Sequence, residues 1–301
     1  MRKLVIRTDD VGYTKVHNMG TFETYDHGYA TSADVMLDSP GTVDALLRLK
    51  EMPWVSIGWH AHFWNSPVLD PGEVKSLVIP GTNRFKHNLA RLTEDVDFDE
   101  CLKECRAQIQ LCMHYLGKAP DVGGMNGWDT PMGRAIRQVS AEYGMAMDYG
   151  SKMHLQEDGT FAFDPVDPKW KDRNIFIVDQ RGVVAGDIIK ETIKEQEEYD
   201  PVAFLLEDRS KFFELPENAV LMHGFHPAYL DYYVAREGDY GPNRRYYTLS
   251  RVFDVEGLCS QRLHDWILDN NIELCNLRDA LYGTREFQNH LRHIGSDLCV
   301  Y

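Results

Sequence analysis

Two adjacent carboxylates, Asp9 and Asp10, close the apolar run of VIRTDDVGY; two imidazoles stand two residues apart at His60 and His62; two more, His223 and His226, fall in MHGFHPAY. Consecutive side chains of an extended chain point to opposite faces, so one carboxylate is free to bind a cation while the other faces a different partner. A divalent metal would relieve their repulsion. Taken alone, Asp-Asp reads as the cap of a following helix, and HGFHPAY as a strand ending in a proline turn with solvated histidines. His-Ala-His in a strand puts both rings on one face, where they can offer nitrogen to zinc or another transition metal. Together the residues supply a metal site and an acid/base pair, the equipment of metal-assisted hydrolysis. Asp10 and His60 would hold a divalent ion that polarises a carbonyl and acidifies its bound water. Asp9 would take the proton from that water, and His226, when protonated, would donate to a leaving amine.

These residues need elements to bring them together. KLVIRT (3–8) is strand-like, and Val16, Met19, Phe22 and Tyr25 at three-residue spacing before Gly28 predict a helix. TSADVMLD (31–38) and WVSIGWHAH (54–62) read as further strands, with a helix around TVDALLRLKE between them. After an excursion from Phe63 to about Asp97, Leu102, Cys105, Ile109, Cys112 and Leu116 trace one apolar helical stripe ending at Gly117. PDVGGMN (120–126), the helix PMGRAIRQVSAEYG, NIFIVD (174–179), NAVLMHGFH (218–226), a helix around Leu263 to Leu268 and IELCNL (272–277) continue the alternation. Alternating strands and helices imply a mostly parallel sheet. The expected fold is α/β, a distorted or incomplete TIM-like (β/α) barrel in a single domain over residues 1–301. At the C-terminal ends of barrel strands, where catalytic groups converge, stand Asp9, Asp10, Asp38, His60, His62 and Asn126, with His223 and His226 in the late segment. No GxGxxG follows the first strand, which removes the best support for a dinucleotide-binding sheet.

Composition narrows the partners. The chain has 301 residues, 43% hydrophobic and 26% charged, with a formal net charge of -15. That excess of negative charge repels nucleic-acid backbones and anionic membranes, so neither is expected as a partner; a neutral or cationic small substrate fits better. The six cysteines form no CxxC pair and read as reduced thiols. MRKLVIRTDD carries too short an apolar run for a signal peptide or a membrane span, which leads to an expected cytoplasmic location. A homo-oligomer is compatible with all of this.

The stretch VIRTDDVGYTKVHNMGTFETYDHGYATSADVML resembles the opening of the YdjC-like carbohydrate deacetylases, relatives of the polysaccharide deacetylases. SIGWH (56–60) looks like that family's Gly-x-His element, HPAYLD (226–231) its His-Pro-Gly-Tyr element with Ala228 for Gly, and NNIELCNLRDAL (270–281) its closing strand and helix. The resemblance implies a distorted (β/α) barrel that removes acetyl groups from N-acetylated mono- or oligosaccharides with a divalent metal, zinc or magnesium. By position, Asp9 would be the general base, Asp10 and His60 metal ligands, and His226 the catalytic acid. Where the family carries a histidine-rich element that completes the metal site, this chain has PDVGGMNGWDTPMG, with Asn126 at the ligand position. An amide oxygen suits Mg2+ better than zinc, and His62 or Asp129 could substitute. That departure keeps two alternatives open: a metal-poor carbohydrate-binding pseudoenzyme, and a sugar isomerase or epimerase on the same barrel. Trp59, Trp64, Trp128 and Tyr229 could present faces to a sugar ring. Arg245, beside Arg244 in YGPNRRYY, could contact substrate or orient Asp9.

Overall fold

The computed structural model describes residues 1–87, 89–92, 96–124, 129–178, 198–237 and 246–300. In chain order its main elements are β1 (Lys3–Val11), α1 (Lys15–Asp26), β2 (Ser32–Val35), α2 (Thr42–Lys50), β3 (Ser56–Trp59), α3 (Phe98–Leu116), α4 (Pro131–Glu142), β4 (Ser151–Leu155), β5 (Phe161–Phe163) and β6 (Ile175–Val178). There follow α5 (Ala203–Leu206), β7 (Val220–Phe225), α6 (Tyr232–Glu237), α7 (Tyr246–Leu258), α8 (Gln261–Asp269), β8 (Glu273–Leu274), α9 (Leu277–Tyr282) and α10 (Glu286–His293).

Every residue of β1 from Leu4 to Val11 is buried, as are all of β2, β3 and β7. Strands covered on both faces read as continuous runs rather than alternating ones, and that is why these segments form a parallel sheet. The order is β3-β2-β1-β7-β6-β4-β5, with β8 against the start of β1. All pairings are parallel except β4 with β5, a hairpin in which Met153 faces Phe163; it was absent from the sequence expectation. Val122 makes single parallel bridges to Gly58 on one side and Ala146 on the other. Helices flank this sheet in one mixed α/β domain. Among the described residues no helix is long and apolar enough to cross a membrane.

Two helices show how well pattern reports packing. In α3, Asp97 caps the N-terminus by accepting from Glu100 N, the expected stripe is buried, and Gly117 at φ 92° ends the helix in the left-handed region. Helix α1 forms as expected, but its buried face is not its apolar one. Val16 and Met19 are 40% and 51% exposed, while His17, Asn18, Gly20, Thr21 and Thr24 are buried with Phe22 and Tyr25. The reason is its partner: the segment 226–231 lies against α1, and a Cβ on Gly20 would collide with the backbone of Ala228 and Tyr229. Thr21 Oγ1 donates to Pro227 O at 2.6 Å, and Thr14 to the carboxylate of Asp231. A close backbone approach selects small and polar residues where pattern alone expects large apolar ones.

The excursion from Phe63 is packed into the domain: Phe63, Val74, Leu77, Phe85 and Leu89 are buried in the main core. Glu104 of α3 anchors it, accepting from Val68 N and Leu69 N at 3.0 and 3.2 Å. Burial pushes this carboxyl up to about 7, against the hydrogen bonds it receives.

Candidate active site

The site begins where β1 loses its regularity. Thr8 pairs with Ala33 but Val11 with Val35, so three steps of β1 oppose two of β2, a β-bulge. Asp10 takes a φ of 59°, a left-handed conformation that Asp tolerates better than most residues. Bulge and turn break the alternation that would send consecutive side chains apart, and both carboxylates reach one cluster of histidines. Neither is a helix cap: Thr14 caps α1, accepting from His17 N at 3.0 Å.

Arg7, two residues before Asp9 on the same strand, holds it in a fork, Nε to Oδ1 at 2.6 Å and Nη2 to Oδ2 at 2.8 Å. Its Nη1 lies 3.3 Å from Asp34 Oδ2 on β2. Asp10 is shared differently. Arg251 Nη2 donates to Oδ2 at 2.7 Å, and Oδ1 faces His60 Nε2 at 3.1 Å. The Arg251 guanidinium holds the Asp10 carboxyl well below its usual range against the opposing effect of burial. Arg251 Nη1 is also 2.9 Å from His17 Nε2, and burial keeps that imidazole neutral, hence an acceptor.

His60 follows β3 directly. Its Nδ1 is 3.4 Å from Asp34 Oδ2, which turns Nε2 toward Asp10. Burial alone would lower this imidazole, but its hydrogen bonds to Asp10 and Asp34 and the charge of Asp9 raise it to about 10. The extended strand expected through His62 stops at Trp59; His62 N donates back to His60 O at 2.9 Å and Phe63 sits at φ 57°. The two rings nevertheless meet, edge to face with centroids 4.0 Å apart, and Trp64 stacks on His62 at 4.0 Å. Asp38 fixes the turn by accepting from Trp64 N and Asn65 N at 2.7 and 3.1 Å.

His226 closes the cluster from the end of β7, its Nε2 4.0 Å from Asp9 Oδ2. Burial pushes its imidazole below the ordinary value, against the pull of Asp10 and Asp9. Its backbone N donates to Asp254 Oδ2 at 2.7 Å, and Tyr199 donates to Asp254 Oδ1 at 2.8 Å. Burial raises the Asp254 carboxyl to about 6. His223 points elsewhere, fully buried between Phe204 and Phe225, and burial lowers it to about 3.

Asp9, Asp10, His60, His62 and His226 are thus together. Asn126, Trp128 and Arg245, with Arg244, lie outside the described residues. Trp59 is 1% exposed and donates to Gln108 Oε1 at 3.0 Å, so it packs the core and offers no face to a sugar. Asp129 is at the surface, paired with Arg134. Tyr229 is 38% exposed beside α1. Sequence reasoning missed Arg7, Asp34, His17, Arg251 and Asp254. Arg7 and Asp34 carry a signal, a charge inside a buried strand, which demands a partner.

The donor set fits a divalent ion. Ligand atoms of Asp10, His60 and His62 all lie within 4.8 Å of one another. Two donors about 2.0–2.1 Å from one tetrahedral ion lie roughly 3.3 Å apart, close to the 3.1 Å between Asp10 Oδ1 and His60 Nε2. Asp9, Asp34 and His60 form a second group within the same limit, but Arg7 occupies both of its carboxylates.

Residues 3–269 match the family described as YdjC-like protein. A carbohydrate deacetylase 2 of Listeria innocua is 22% identical over 277 residues, 92% of this chain and 98% of that protein. A chitooligosaccharide deacetylase of Proteus mirabilis is 29% identical over 119 residues, 39% of this chain and 46% of that protein. Among solved structures, a protein of Enterococcus faecalis V583 described as a cellobiose-phosphate cleavage protein is similar with a TM-score of 0.61 at 23% identity, over 91% of this chain and 97% of that one. That likeness is one of fold.

Proposed function

The chain belongs to the YdjC-like protein family, and from that premise we propose that it is a metal-dependent carbohydrate deacetylase, hydrolysing the amide of an N-acetylated mono- or oligosaccharide. The observation that carries the reading is the meeting of Asp9, Asp10, His60 and His226 at the ends of β1, β3 and β7. We read the strands as a distorted barrel, a view supported by the two bridges of Val122, which link β3 to the stretch before β4. In such a barrel those strand ends form the catalytic mouth.

Asp9 is the general base. Its fork to Arg7 fixes it in place, while Oδ2 faces the cluster, where it can take a proton from an attacking water. Asp10 and His60 would hold the ion. A bound divalent cation supplies Lewis-acid polarisation of the acetyl carbonyl and acidifies water. His226 is the acid: the proton that Asp9 takes from the water can pass to its Nε2, 4.0 Å from Asp9 Oδ2, and from there to the leaving amine, so the water's proton departs with the amine. Asp254 positions it through the backbone. Tyr229, with Trp128 and Arg245, is assigned to substrate binding.

An isomerase or epimerase would need more carboxylate ligands, and the candidates, Asp9 and Asp34, are both committed to Arg7.

The test is acetate release from N-acetyl-oligosaccharides by purified protein supplied in turn with Zn2+, Mg2+, Mn2+ or Co2+. Release that chelation stops, and that falls about 10²–10⁴-fold in Asp9→Asn, is expected. No release with any ion, or an unimpaired Asp9→Asn enzyme, overturns the reading.

A further inference from the structure

The geometry points to His62 as the third protein ligand of the cation site, so that His60 and His62 grip the ion from one turn and Asp10 completes the set from β1. This rests on the metal-dependent reading above and deepens it, because the position at which the family completes its site carries Asn126 in this chain.

Three observations converge on His62. The first is distance: its ring nitrogen, Asp10 oxygen and His60 nitrogen fall within 4.8 Å of one another. An extended His-Ala-His would separate the residues by roughly 6.6 Å along the strand, whereas the turn closed by His62 N to His60 O draws the ring centroids to 4.0 Å. The second is orientation of the other two donors. Arg251 occupies Asp10 Oδ2 and leaves Oδ1 toward the histidines, and Asp34 on His60 Nδ1 leaves Nε2 inward. A carboxylate behind a histidine is the usual outer support of a metal ligand.

The third is preorganisation. Phe63 is 2% exposed, plugged between Trp59 and Phe85, and so pins the chain immediately after His62. Trp64 stacks on the His62 ring, and Asp38 clamps the amides of Trp64 and Asn65. Few rotamers remain to be lost on binding, the property expected of a ligand and unnecessary in a solvated loop histidine.

The experiment is a Co2+ titration of the full-length protein, followed by calorimetry and visible absorption. Wild type is expected to bind one ion. His62→Ala should weaken binding by at least about 10–100-fold, the cost of losing even an outer-shell partner, while Asn126→Ala keeps the wild-type affinity. His62→Cys gives a positive readout, since a thiolate touching Co2+ produces an intense near-ultraviolet charge-transfer band. One bound ion in wild type, unchanged in His62→Ala and without that band in His62→Cys, overturns the assignment and leaves metal dependence standing. No binding by wild type at millimolar Co2+ overturns both together.

Discussion

The two ends of strand β3 each carry a network of arginine and carboxylates, partly buried at one end and buried at the other, and they are built on different plans. At the N-terminal end, Arg278 of α9 donates to Asp121 Oδ2 at 2.6 Å, to Glu286 Oε2 at 2.7 Å, to Val55 O at 3.2 Å and to Pro53 O. Asp121 also accepts from Ile57 N and from Lys118, each at 2.8 Å. Two cations meet two carboxylates, and half of these contacts are to the main chain. At the C-terminal end, among the described residues, Asp9, Asp10 and Asp34 meet Arg7, Arg251 and His60, whose imidazole their hydrogen bonds hold up at about 10 against burial. The first network ties a helix to the start of the strand; the second gathers its carboxylates around titratable imidazoles, the arrangement expected of a functional site.

Removing each arginine separates the plans. Arg7→Met strands Asp9 and Asp34 and should cost about 3–5 kcal/mol of stability, as for other buried pairs broken on one side, and in addition abolish deacetylation by the folded fraction. Arg278→Met should cost a similar amount in urea denaturation and leave turnover per folded molecule unchanged. If both variants lose turnover equally, the distinction fails.

Glu104 buries a carboxylate by a third means, between two backbone amides and Gln108, with no cation against it among the described residues. Its carboxyl is raised from 4.5 to about 7 in the folded protein, so the folded state binds that proton more tightly. The stabilisation is fully present below about 4.5 and is lost as pH rises through 7, at most roughly 3 kcal/mol for a shift of this size. Glu104→Gln should flatten this part of the urea midpoint's pH dependence; an identical slope in both proteins refutes it.

The smallest effect is expected at Asp34. Asp34→Asn loosens His60, which should weaken Co2+ binding about 10–100-fold, with far less loss of stability than Arg7→Met. Unchanged affinity would mean that Asp34 serves Arg7 alone.

Most strands and α3 were legible because their signals are local: unbroken apolar runs, and a stripe with a cap at each end. Helix α1 was legible as a helix but not by its buried face: Val16 and Met19 lie outward, while its partner, the loop after β7, selects Gly20 and Thr21. Of the site, Asp9, Asp10, His60, His62 and His226 were legible from residue type at strand ends. The bulge that turns both carboxylates to one side was not, since nothing in TDDVG distinguishes an irregular strand from a regular one. Arg251 and Asp254 were beyond reach for another reason: they come from α7, more than two hundred residues along the chain, and only docking of that helix brings them in.

The missing side chain of Gly20 reaches into the chemistry. His226 is the first residue of the segment lying on α1, so the gap between helix and loop, one hydrogen atom deep, works as a calliper on the spacing of His226 and Asp9. Alanine at position 20 would wedge that calliper open from the outer layer of the fold. Deacetylation rate could then be tuned by volume alone, with no titrating group replaced.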